Sequence, residues 1–264
     1  MKITVIFISL IAAICFGAVG SEYNFAGTGA LCFTSDNTGS NEICLPVAPI
    51  VLSDDFIGGR TSISGATESV TTSTWVKMLT ASGPETVGIA ADGTNGYVTI
   101  ALTSAAVPQQ ATLYAGDQQV WEMGQGLVFQ ARVNFSVLPT GTVEAYIGMN
   151  GATSSAGSAY RCNFRLTGSG LIYCETDDNS TDSGLITSAV TVVANQWVIL
   201  TIDASDASDV KFYINGNRVA SGTTFAYEDT TNLQPYFSLC KSTAGVSTVG
   251  TMNVDYVRVF QNRM

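Results

Sequence analysis

Leu127-Val128-Phe129-Gln130-Ala131-Arg132-Val133-Asn134-Phe135-Ser136-Val137 decides the fold class. Its odd positions are all apolar, and its even ones include Gln130, Arg132, Asn134 and Ser136. Successive side chains of a strand point to opposite faces, so strict alternation marks a β-strand with one face in a core and the other toward water. Pro139-Thr140-Gly141 then supplies a turn. The pattern resumes with Val143, Ala145, Ile147 and Met149 inward and Glu144 outward, so the two segments read as a hairpin.

Working outward, further strands follow at short intervals. Val98, Ile100 and Leu102 alternate with threonine and alanine. Residues 160–166 and 171–175 form a hairpin around Thr167-Gly168-Ser169-Gly170. Residues 196–203 carry Trp197, which the alternation of its strand assigns to the core. Residues 210–214 run into Asn215-Gly216, the strongest two-residue hairpin signal, and return through Arg218 and Val219. Residues 233–240 and 252–260 complete the set. No segment longer than about ten residues carries helical periodicity. A dozen or so strands without crossover helices imply an all-β fold, an antiparallel two-sheet β-sandwich.

The first twenty residues have the layout of a signal peptide: Lys2, an apolar stretch over 3–16, and Ala18-Val19-Gly20 before Ser21. That stretch is short for a bilayer, and no other segment is long and apolar enough to span one. A secreted or surface location is expected, with an uncleaved leader of the kind a virion protein keeps as the alternative. Residues 21–48 form an N-terminal extension, and the sandwich occupies 49–264.

Only 12% of the 264 residues are charged, and the net charge is −10. A basic groove for phosphate backbones is thereby excluded, and with it nucleic acid as a partner. Such a charge serves solubility and is compatible with a neutral glycan or a divalent cation. With 46% hydrophobic residues the chain is not disordered. The absence of histidine removes the usual zinc ligand and the usual base of a serine or cysteine nucleophile. The glycines scatter through turns and build no phosphate-binding loop.

Of six cysteines, Cys15 leaves with the leader. Cys32 and Cys44 lie close together in a segment rich in Gly, Ser and Asn, where export permits a bridge. A symmetric hairpin centred on Gly168 puts Cys162 directly opposite Cys174, where they either bridge or pack as small core residues. Cys240 is then odd, and is expected as a buried thiol.

Three segments together resemble the concanavalin A-like lectin/glucanase superfamily: Asp54-Asp55-Phe56-Ile57-Gly58-Gly59, Lys211-Phe212-Tyr213-Ile214-Asn215-Gly216, and Val254-Asp255-Tyr256-Val257-Arg258-Val259-Phe260. They span residues 50–261. The resemblance implies a jelly roll of two curved sheets, with ligands on the concave face or its rim. It also implies a structural calcium ion held by Asp255, with Asp55 or Gly58 supplying neighbouring oxygens. Glucanases of this kind carry E-x-D-x-x-E on one strand. The nearest match here is Glu175-Thr176-Asp177-Asp178-Asn179-Ser180, which lacks the last acid and reads as a solvated acidic turn.

Sugar platforms need aromatic faces. Trp75, Trp121 and Tyr146 are the candidates, with Tyr114 and Tyr227 beside them, and Tyr146 belongs on an outward sheet face because it alternates with Ile147. Asn134 and Asn179 begin glycosylation sequons that matter only in a eukaryotic host. The expectation is a non-catalytic module outside the cell that recognises a carbohydrate or a protein surface. The rivals are a virion decoration or fibre protein, with homo-oligomer or particle assembly, and a diverged glycoside hydrolase.

Overall fold

In a computed structural model, the described residues are 23–25, 31–34, 42–45, 50–56, 63–65, 74–80, 84–90, 96–151, 159–228, 230–242 and 249–262. The chain divides into two compact units, residues 50–261 and the terminal segments 1–49 with 262–264. In the smaller unit, β1 (Tyr23–Phe25), β2 (Leu31–Thr34) and β3 (Glu42–Leu45) form an antiparallel sheet.

The larger unit is the sandwich. Its strands are β4 (Ile50–Asp54), β5 (Ile63–Gly65), β6 (Trp75–Leu79), β7 (Thr86–Ile89), β8 (Val98–Leu102), β9 (Gln109–Tyr114), β10 (Leu127–Val137) and β11 (Val143–Asn150). They continue with β12 (Tyr160–Leu166), β13 (Leu171–Asp178), β14 (Ile186–Thr191), β15 (Val198–Ala204), β16 (Lys211–Ile214), β17 (Asn217–Val219), β18 (Gln234–Lys241) and β19 (Gly250–Gln261). Two eight-stranded sheets result. The first runs β17-β16-β15-β10-β19-β8-β7, with β4 also paired to β19; the second runs β14-β13-β12-β11-β18-β9-β6-β5. Pairing is antiparallel except between β5 and β6, which are parallel.

The alternation in β10 does what its sequence dictates. Leu127, Phe129, Ala131, Val133 and Phe135 enter the core, where they meet the inward residues of the second sheet. The rings of Phe56, Trp75, Phe237 and Phe129 chain across this core at centroid distances of 5.6, 6.2 and 5.9 Å. Strand β19 is long enough to take two partners on one side: residues 250–254 pair with β8 and residues 257–261 with β4. Between them the β10 register skips Asp255, which is the extra residue of a β-bulge. The bulge resets the alternation, so that Met252 and Val254 before it and Val257 and Val259 after it all reach the core.

The Asn215-Gly216 hairpin forms as expected, with Ile214 opposite Asn217. The hairpin between β12 and β13 departs from the symmetric expectation. Leu166 pairs with Ile172, so Cys162 faces Thr176 and Cys174 faces Phe164. The amide of Gly170 bonds to the Thr167 carbonyl at 3.0 Å, and Gly170 has φ 76°. A type of turn followed by a left-handed glycine lengthens the loop and moves the register by two residues. Both cysteines still point inward, as buried free thiols in diagonal rather than opposed positions.

Candidate ligand-binding face

The side chains of the second sheet that point away from the core build one continuous layer, much of it buried: Tyr114, Tyr146, Tyr236, Asn163 and Glu175 are each 6% exposed or less. In β11 the inward residues are Val143, Ala145, Ile147 and Met149, leaving Glu144, Tyr146, Gly148 and Asn150 outward. In β12 Cys162, Phe164 and Leu166 point inward, leaving Arg161, Asn163 and Arg165. The same rule places Tyr173, Glu175 and Asp177 of β13, Gln234, Tyr236, Ser238 and Cys240 of β18, and Gln110, Thr112 and Tyr114 of β9 on this face.

Strand register arranges them in rows across the sheet. One row runs Val76, Tyr114, Tyr236, Gly148, Asn163, Glu175. The next runs Met78, Thr112, Ser238, Tyr146, Arg165, Tyr173. A shorter one runs Gln234, Asn150, Arg161, Asp177. The rows divide into a neutral half and a charged half. Val76, Tyr114, Tyr146, Tyr236 and Cys240 form an apolar cluster separate from the main core. Beside it the hydroxyls of Thr112 and Ser238 bond at 2.8 Å.

The charged half is a ladder of ion pairs. Arg161 reaches Glu175 at 3.0 Å and Asp177 at 2.9 Å. Arg165 reaches Glu144 at 2.6 Å and lies 3.8 Å from the second oxygen of Glu175. The Tyr146 hydroxyl donates to Glu144 at 2.7 Å, and the Arg165 guanidinium covers the Tyr146 ring at 5.1 Å. Burial pushes the Tyr146 hydroxyl well above its ordinary value, and the bond to Glu144 adds to this. Burial likewise pushes Tyr236 up to about 12.

Gly148 sits where the two halves meet. A Cβ there would press on the Cys162 carbonyl and come within 2.7 Å of the Asn163 Cα. Glycine therefore lets β12 approach, with Asn163 directly across from it in the row. Asn163 is 2% exposed, and its Oδ1 has no hydrogen-bond partner; the same holds for Nε of Arg165.

Against this geometry the expected site residues separate. Tyr146 lies on the face as alternation requires, and Tyr114 joins it. Trp75 packs in the main core, with Nε1 donating to Asp54 Oδ2 at 2.9 Å, so its ring lies on the opposite side of the sheet from Tyr146. Trp121 and Tyr227 are also buried in the core. Trp197 is the reverse case: it stays outside the core, partly exposed, with Arg132 4.8 Å from its ring and Tyr97 at 6.2 Å. Glu175 is no solvated turn, being 2% exposed within β13. Asp178 is the turn builder, accepting amide bonds from Ser180 and Thr181 at 2.9 and 2.6 Å. The sequon residue Asn134 is buried, while Asn179 is exposed.

Of the expected calcium ligands, Gly58 lies outside the described residues and Asp55 is exposed. Asp255 Oδ2 accepts from Arg132 at 2.6 Å. The guanidinium already supplies the positive charge there, and this pairing does not favour a cation on that oxygen. Sequence reasoning missed Tyr236, Asn163, Arg161 and Arg165. The signal was present in the alternation of Arg161, Asn163 and Arg165 with Cys162 and Phe164, and of Tyr236 with Phe237.

The family model of the concanavalin A-like lectin/glucanases superfamily matches residues 124–264. No curated protein matches the chain. Among solved structures, a protein of unknown function from Shewanella oneidensis MR-1 aligns with a TM-score of 0.57 at 12% identity, over 83% of this chain and 90% of that one. A structure described with the endo-acting O-glycanases by which members of the human gut microbiota initiate mucin breakdown aligns at 0.55 and 12%, over 82% and 100%. A family GH16 protein of the Bacteroides ovatus mixed-linkage glucan locus, in complex with its product, aligns at 0.50 and 10%, over 79% and 99%. At these identities the likeness is one of fold.

Proposed function

The chain belongs to the concanavalin A-like lectin/glucanases superfamily, and from that premise we propose that it is a non-catalytic glycan-binding module acting outside the cell through the outward face of its second sheet. One observation carries the reading: a row of amides and hydroxyls, with an Asn163 acceptor that has no partner, shares that face in cross-strand register with the nearly buried rings of Tyr114, Tyr146 and Tyr236. Hydrogen-bonding groups set beside aromatic rings suit a sugar ring. Two solved neighbours are named as glycan-active proteins, which supports a carbohydrate as the ligand class.

The non-catalytic half of the proposal rests on the carboxylates. Retaining hydrolysis needs a nucleophile and a separate proton donor about 5 Å apart. Here Glu144, Glu175 and Asp177 are each engaged by Arg161 or Arg165, and Ser180 stands at the position of the third motif acid. A diverged glycoside hydrolase is the second reading, favoured by the same three carboxylates facing one way.

A glycan array probed with the whole protein, with calcium and then with EDTA, tests the proposal, followed by a reducing-end assay on every glycan bound. Selective binding without new reducing ends is expected. New reducing ends lost in E175Q would replace it with the hydrolase reading, and a blank array with the fold intact would remove the glycan altogether. Binding that survives EDTA is expected from the Arg132–Asp255 pair, whereas its loss would restore the calcium site.

A further inference from the structure

The charged half of the face says what kind of sugar it takes. Asn163 and Arg165 stand two residues apart on β12, so their side chains leave the sheet on one side and next to each other. Each carries a buried polar atom without a hydrogen bond, an acceptor on Asn163 and a donor on Arg165. Buried groups of this sort are rare in folded proteins and call for water or a ligand. An acceptor can be answered only by a donor. A hydroxyl donates and accepts, so two neighbouring hydroxyls satisfy both atoms together, whereas a carboxylate or sulfate has nothing to give Asn163.

The surrounding charges agree. Glu144, Glu175 and Asp177 outnumber Arg161 and Arg165 by one, and Asp182, 3.8 Å from Arg161, widens the excess. Both guanidiniums are thus already matched by carboxylates. The rest of the face, from Gln110 through Thr112, Tyr114, Tyr236 and Ser238, carries no charge.

Building on the glycan reading of this face, we infer that Asn163 and Arg165 are its specificity-determining pair, binding adjacent hydroxyls of a neutral sugar while the surplus carboxylate turns acidic sugars away. Binding of the full chain to paired neutral and acidic oligosaccharides tests this, using uronate, sialylated and sulfated forms beside their uncharged counterparts at low salt.

Neutral members are expected to bind at least about tenfold tighter than acidic ones. Asn163→Ala should weaken the neutral ligand by about tenfold while the melting temperature holds or rises, because no native hydrogen bond is lost. Glu144→Gln should narrow the gap between neutral and acidic ligands several-fold, and added salt should narrow it further.

Acidic sugars binding as well as neutral ones would overturn the selectivity and leave glycan binding standing. An Asn163→Ala protein of unchanged affinity, or one that melts lower in step with weaker binding, would make Asn163 a structural or water-bridging group. Failure of every sugar would overturn this inference together with the function it rests on.

Discussion

Burial pushes the Cys174 thiol from its ordinary 9.0 up to about 12 and holds Cys162 well above the same starting value, with Cys174 nearby reinforcing the shift. Thiolate is the reactive form, so neither residue should alkylate in the native protein at pH 8, while both should after denaturation; peptide mass mapping reads the difference. The same shift has a stability consequence. Between pH 9 and 12 the unfolded thiol has lost its proton and the folded one has kept it, so stability is intact below 9 and falls as pH rises toward 12. Urea midpoints compared at pH 8 and 11 should show a smaller drop in C174A than in the parent. Arg161 offers a second residue-level test. Glu175 has 3% of its side chain exposed and depends on Arg161 at 3.0 Å. Arg161→Ala should cost about 3 kcal/mol by leaving that carboxylate poorly matched, and E175Q in the same background should recover part of the loss.

At the scale of elements, the close approach of β11 and β12 is set by a missing side chain. Gly148→Ala must push against the backbone of Cys162 and Asn163. It should lower the unfolding free energy, measured by denaturant titration, by about 2 kcal/mol, as overpacking between rigid neighbours does. The strands themselves were legible because side-chain direction has period two: β10 and β11 could be read residue by residue, inward set and outward set. Register was less legible. The Cys162–Cys174 opposition failed because the turn type is chosen by where a left-handed residue sits, and Gly168 and Gly170 compete for that place in the sequence; the chain uses Gly170. The β19 bulge was written plainly, with Asp255 and Tyr256 both standing between Val254 and Val257, yet the meaning of the double step needs the partner strand. The site was the least legible. Trp75 and Tyr236 are equally aromatic in the sequence, and only the facing of β6 and β18 sends one to the main core and the other to the opposite side of the second sheet.

For the molecule as a whole, the chain divides into two compact units at Pro49. Residues 50–264 contain a complete two-sheet core and should melt cooperatively when expressed alone, which calorimetry checks. The smaller unit pairs Cys32 with Cys44 across β2 and β3 in backbone register. Directly opposed residues of antiparallel strands are within the reach of a disulfide, and a unit this small gains much from one. A mass two hydrogens lighter, reverting on reduction and mapping to the peptides of Cys32 and Cys44, is the expected result for the protein secreted into an oxidising compartment.

Strand β19 joins β10 on one side to β8 and β4 on the other. During synthesis every other strand of the sandwich leaves the ribosome before it. Until residues 250–261 emerge, β10 and β8 each present an open backbone edge with no neighbour, β4 has no partner, and the first sheet stays in three pieces. The nascent chain thus spends most of its translation as a strand-pairing template, dependent on export or chaperones to keep other chains from filling the place that β19 will take.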